Sequence, residues 1–172
     1  FLNGGNLRPN ANMAISREIV VNAGGGQLTN DGNRTIDYAG VISGAGALTV
    51  NSVNGNNGVN RLTGTAANTF ESGLIINNGI LEFTRNDQLG ALPNGTRHDR
   101  GHVVINEAGG TNATLRLAAG AGAVSTGDRQ FTILGGNARI DVADAADTLT
   151  IANDIRGTGG INKNGPGTLV LS

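Results

Sequence analysis

Ten pairs of apolar residues spaced two apart run through this chain, separated by stretches rich in Gly, Asn, Asp and Ser. They are Ile19/Val21, Ile36/Tyr38, Leu48/Val50, Leu81/Phe83, Val103/Ile105, Leu115/Leu117, Phe131/Ile133, Ile140/Val142, Leu149/Ile151 and Leu169/Leu171. A spacing of two puts both members of a pair on one side of a β-strand. No 3.6-residue pattern persists; the one short helical candidate, Asp141 to Ala146, lies between two strand pairs. The chain is therefore read as all-β.

Composition narrows the kind of β-fold. The 172 residues include 29 Gly and 23 Asn, the residues that accept left-handed backbone at turns, so many short elements are expected. Aromatic residues make up only 3%, which leaves a thin core to be built from Val, Ile, Leu and Ala. The net charge is −1 and no basic run exists to follow phosphates, which argues against a nucleic-acid partner. No apolar stretch approaches the ~20 residues of a membrane-spanning helix, so no direct membrane insertion is expected. The absence of Cys excludes disulfides.

Internal repetition separates a solenoid from a sandwich. "VISGAGALTV" (41–50) matches "DIRGTGGINK" (154–163), pairing Ile42 with Ile155, Gly44 with Gly157, Gly46 with Gly159 and Leu48 with Ile161. "REIVVNAGGGQL" (17–28) parallels "RQFTILGGNARI" (129–140), "LNGGNLR" (2–8) parallels "INNGILE" (76–82), and "GVNRLT" (58–63) parallels "GTLVLS" (167–172). The chain reads as two unequal copies, about 2–75 and 76–172, of one unit within a single domain. The offset grows from 74 residues at Leu2/Ile76 to 112 at Arg17/Arg129, so the second copy is longer by 38. A solenoid tolerates such an insertion because each coil contacts only its neighbours. A right-handed parallel β-helix of seven or eight coils is expected, at ~20–25 residues and ~4.8 Å per coil. The apolar "GTLVLS" close and the mid-pattern start suggest a segment cut from a longer array, with head-to-tail self-association through its exposed strand edges.

"IRGTGGINKNGPGTLVLS" (155–172) and "NTFESGLIINNGIL" (68–81) resemble the autotransporter-associated β-strand repeat of bacterial autotransporter passengers. The first follows the pattern I-x-G-x-G-x-L-x-K-x-G-x-G-T-L-x-L. The second follows N-T-Y/F-x-G-x-T-x-I-x-x-G-x-L, with Leu74 where Thr is usual. "LEFTRNDQLGALPNG" (81–95) is similar to the family's linker, with its small residue and Gly rearranged around Leu89. The resemblance implies a β-helical stalk exported across the outer membrane to the cell surface. Its partners would be neighbouring repeats and a host or cell-surface ligand; it implies no enzymatic activity.

The residues offer few chemical candidates. His98 and His102, the only histidines, lie four apart with Asp99 between them, a spacing that holds a metal on a helix. Here they fall in a Gly-flanked insertion and read as a solvated loop. Asp141, Asp144 and Asp147 recur three apart, as Ca²⁺ ligands can. Strand alternation places Asp141 and Asp147 on opposite sides of a turn, and Lys163, a possible base, is distant in sequence. The Gly44–Gly46 and Gly120–Gly122 runs read as coil corners rather than phosphate loops, because no helix follows them. Asn33, Asn94 and Asn112 begin incidental Asn-x-Thr triplets. No catalytic, cofactor or metal residue is assigned. The expected function is a structural stalk or spacer, with adhesion or self-association as a further property. A carbohydrate-active β-helix (lyase or hydrolase) and a phage-type fibre are the alternatives; an aromatic-lined groove would favour the first and a trimeric mass the second.

Overall fold

All turns of the chain but one lay down three short strands, one on each of three faces, and successive turns stack in parallel. The structure, a computed structural model, describes residues 1–55, 57–92, 102–107 and 110–172. The first face holds Gly5–Leu7, Gly26–Asp31, Leu48–Val53, Leu74–Ile76, Val103–Glu107, Phe131–Gly135 and Ile155–Gly157. Beside it, the second holds Met13–Ile15, Thr35–Tyr38, Val59–Leu62, Ile80–Phe83, Thr114–Leu117, Asn137–Val142 and Gly160–Asn164. A third face comes in two blocks, Ile19–Val20, Ile42–Gly44 and Thr69–Phe70, then Ala123–Ser125, Thr148–Ile151 and Thr168–Leu171. The molecule is an all-β solenoid with almost no helix.

Its pitch in residues is uneven. Successive register partners Gly5, Gly26, Leu48, Leu74, Val103, Phe131 and Ile155 lie 21, 22, 26, 29, 28 and 24 residues apart. The expected 20–25 residues per coil describes the outer turns, but the middle ones are longer. Six full turns run from Gly5 to Ile155 and most of a seventh follows, so seven strands stack on each of the first two faces, the lower of the seven or eight coils expected. Its height is correspondingly ~29 Å at ~4.8 Å per rung.

Period-two pairs form the inward columns. On the first face Leu7, Leu28, Val50, Ile76, Ile105 and Ile133 sit directly above one another, and all but Leu7 are at most 2% exposed. Burying each such side chain is worth ~1.5–3 kcal/mol. Nine of the ten pairs are buried throughout; Leu169 is half-buried and Leu171 exposed, because their strand is the last of its sheet. The helical candidate at 141–146 is instead the end of a strand followed by a turn.

On the fourth turn the described residues place no strand on the third face. A 3-10 helix, Asn86–Leu89, stands between the two blocks. The sequence surplus of the second copy includes one whole turn, the strands Val103–Glu107, Thr114–Leu117 and Ala123–Ser125.

The matched copies do not superpose face on face. Ile42 lies on the third face and Ile155 on the first; Leu48 lies on the first and Ile161 on the second. Leu28 and Ile140 differ in the same way, as do Leu62 on the second face and Leu171 on the third. Local contacts are nevertheless preserved. Gly44 (φ 110°) and Gly157 (φ 114°) each pass so close to the rung beneath that a β-carbon would strike the carbonyl of Val21 or of Ile133, themselves matched residues.

Candidate functional site

Polar chemistry is concentrated in three places. At the inner corner between the first and second faces, Asn30, Ser52, Asn78 and Glu107 are buried one above another and serve the backbone of the turns. Asn30 Nδ2 donates to the carbonyls of Arg34 (2.8 Å) and Val59 (3.1 Å). Asn78 Oδ1 accepts from the N–H of Gly79 (2.8 Å) and Asn112 (3.0 Å), and Glu107 Oε2 from that of Ala113 (3.0 Å). A chain that turns sharply inside a dry core needs such partners for its peptide groups.

The outward side of the second face carries an alternating charge ladder. Register partners run Ala14, Asp37, Arg61, Glu82, Arg116, Asp141 and Asn164. Arg61 Nε lies 2.8 Å from Glu82, and Arg116 bridges Glu82 (3.5 Å) and Asp141 (2.7 Å). Every cation in the ladder has an anion above and below it. A one-residue slip would set Arg61 against Ile36 or Tyr38 and Arg116 against Leu81 or Phe83, so the ladder holds only in this register.

The third place is the break in the third face. Arg129, 2% exposed, reaches down to the 3-10 helix. Its guanidinium donates to Asn86 Oδ1 (2.6 Å) and to the carbonyls of Asn86 (3.0 Å), Leu89 (3.1 Å) and Gly90 (2.5 Å). Burial pushes its pKa down to about 10, against the opposing pull of Asp87, so it remains charged at neutral pH. From below, Asn68 Nδ2 donates to the Gln88 carbonyl (2.7 Å) while its Oδ1 accepts the Ile42 N–H (2.8 Å). Gln88 closes the helix by accepting from the Thr84 N–H (2.8 Å) and donating to Gly64 O (3.0 Å). These side chains replace the ladder bonds of the missing strand.

The sequence candidates fall into separate roles. His98, Asp99 and Asn94 lie outside the described residues. His102 is half-buried and stands one residue before the strand Val103–Glu107, bonded to the neighbouring turns rather than lying in a solvated loop. Its Nδ1 accepts the Gln130 N–H (2.9 Å), and its backbone bonds Gln130 and Leu74. The aspartates 141, 144 and 147 do not converge. Asp141 is a member of the charge ladder; Asp144 Oδ1 accepts the Ala146 N–H (2.9 Å). Asp147, read as part of a solvated turn, is 2% exposed, because its carboxylate caps the turn below through the Ala121 (3.2 Å) and Gly122 (2.7 Å) N–H groups. Among the described residues, no group of three or more His, Cys, Asp or Glu could hold a metal. Asn112 Nδ2 is engaged with Asn57 Oδ1 (2.6 Å), spanning a turn.

Lys163, distant from Asp141 in sequence, is on the neighbouring strand, one position out of register with it. It is the register partner of Ile140, and Asn164 is that of Asp141. Arg129, Asn68 and Gln88 were not singled out from sequence; the only hint is that Asn68 opens the N-T-F motif.

Comparison with known proteins gives one curated relative at a convincing level. The chain is 37% identical to the adhesin BmaC autotransporter of Brucella suis biovar 1 (strain 1330) over an alignment of 135 residues. The alignment takes in 64% of this chain and 4% of the relative, so the chain spans a small fraction of that protein's length. No protein-family profile matches the chain, and no solved structure matches it. The stacked parallel turns and the curated relative together fit a repeat region of an autotransporter passenger.

Proposed function

We propose that this segment is a stalk or spacer of an exported bacterial surface protein, mechanical rather than catalytic. The observation that carries the reading is the unbroken stack of parallel turns on two faces, whose hydrogen bonds run along the long axis. Pulling on such a rod loads many backbone bonds together, and its length scales with the number of turns. The alternating ladder adds a second set of axial contacts. Partners of the segment are neighbouring turns of its own kind, and stacking of a second copy uses the same edges.

A surface-displayed chimera tests the spacer role. Inserting a second 172-residue segment, seven further rungs, should move a distal fluorescent label outward by a fixed distance of ~34 Å. A Gly/Ser insert of equal residue number should instead give a broad distribution centred near ~70 Å. An unchanged or equally broad distance with the native insert overturns the reading. The relative is named an adhesin, which supports adhesion as a second property; binding of the purified segment to host-cell surfaces measures it directly.

A further inference from the structure

The last strand of the second face, Gly160–Asn164, carries an arrangement that serves neither the core nor the ladder. Lys163 is the only lysine of the chain. Its ammonium donates to the Asn164 carbonyl oxygen (2.7 Å) and to that of Gly165 (2.7 Å). Asn164 is exposed and is followed by glycine at φ 72°. Asp141 packs against that glycine so closely that a β-carbon on Gly165 would sit 2.5 Å from Asp141 Oδ1. Meanwhile Asp141 Oδ2 is held by Arg116 Nε at 2.7 Å.

We infer that Asn164–Gly165 is a self-modifying site, at which the asparagine amide is converted to a carboxylate through a cyclic imide. Attack of the Gly165 nitrogen on Asn164 Cγ needs that N–H to lose its proton, and the negative charge then spreads onto the Asn164 carbonyl oxygen. Lys163 is bonded to that oxygen, as a donor aimed at developing charge should be. Asp141 Oδ1, beside Gly165, is near enough to take the proton through one water. The new N–Cγ bond closes a five-membered ring as the Cγ–Nδ2 bond breaks and ammonia leaves. Water then opens the imide at either carbonyl, leaving an aspartyl or isoaspartyl residue at position 164. The product carboxylate is the register partner of Asp141, so it ends the alternating ladder with two adjacent negative charges.

Other Asn–Gly steps provide internal controls. Asn78 is 9% exposed and tied by its side chain to Ser52, Gly79 and Asn112. Asn54 is exposed, but its amide donates to Asp31 (2.9 Å), and Asn57 accepts from Asn112 (2.6 Å). Among the described residues, Lys163 supplies the one cation bonded to the carbonyl of such a step.

Peptide mapping by mass spectrometry, after incubating the 172-residue protein at neutral pH, tests the site. Asn164 should deamidate several-fold faster than Asn54 or Asn57 in the folded protein, and lose that advantage in urea. Lys163→Gln should slow Asn164 by about tenfold without changing Asn54, and Lys163→Arg should restore part of the rate. Asp141→Asn should slow it as well. Equal rates at Asn164, Asn54 and Asn57 in the folded state, an advantage that survives in urea, or a rate indifferent to Lys163→Gln would each overturn the inference.

Discussion

Tyr38, the chain's single tyrosine, shows how tightly one residue can be bound to the folded state. It is 1% exposed, and its hydroxyl donates to Asn60 Oδ1 at 3.3 Å inside the core. Burial pushes its pKa well above the ordinary value of 10.0. A phenol whose pKa is raised on folding favours the folded state only while the unfolded phenol would also be neutral. That contribution is complete below pH 10 and is lost progressively as the pH rises from there towards the folded pKa. Tyrosinate absorbance and loss of β-structure should consequently appear together in an alkaline titration. Tyrosinate forming with the circular dichroism unchanged would contradict the burial. Tyr38 was legible in sequence as half of an apolar pair, since period two reports which side a residue faces. Asn60 was not, because a buried amide interrupts the pattern that reveals inward positions.

At the scale of the element, the third-face break makes a sharper demand. Arg129 satisfies acceptors 39 to 43 residues away, so no local pattern could mark it. In sequence it is simply a charged residue before a strand. Replacing it with Met leaves four acceptors without their donor inside a buried corner. Arg129→Met should cost roughly 3 kcal/mol in urea unfolding, whereas exposed Arg17→Met should cost under about 0.5 kcal/mol. Equal midpoints for the two variants would mean that water or the neighbouring amides replace the clamp. Strands with long inward pairs were readable for the opposite reason. Two members, one spacing and turn residues on either side suffice for Leu115/Leu117 or Ile140/Val142. The two-residue strand Thr69–Phe70 offers no period to read. The turn length was misjudged in the middle of the stack because extra residues accommodated at the corners leave no trace in the strand spacing.

For the whole molecule, the axial direction matters most. Phe1 is 95% exposed at one end and Leu171 54% at the other. Beside Leu171, Ile151, Ile155 and Asp154 line a shallow opening. The outermost strands each have a single neighbour. The purified 172-residue protein should therefore associate head to tail, and sedimentation should show mass rising with concentration without settling on one closed oligomer. A strict monomer across a hundredfold range, or a single closed dimer, would count against axial stacking.

The displacement of the matched copies by one face makes the repeat a screw operation with a third of a turn left over. Residues equal in the alignment then stand on different faces, Ile42 on the third and its counterpart Ile155 on the first. A feature recurring once per such copy would wind around the shaft like the steps of a spiral stair, and a flat partner lying along one side would meet only every third step.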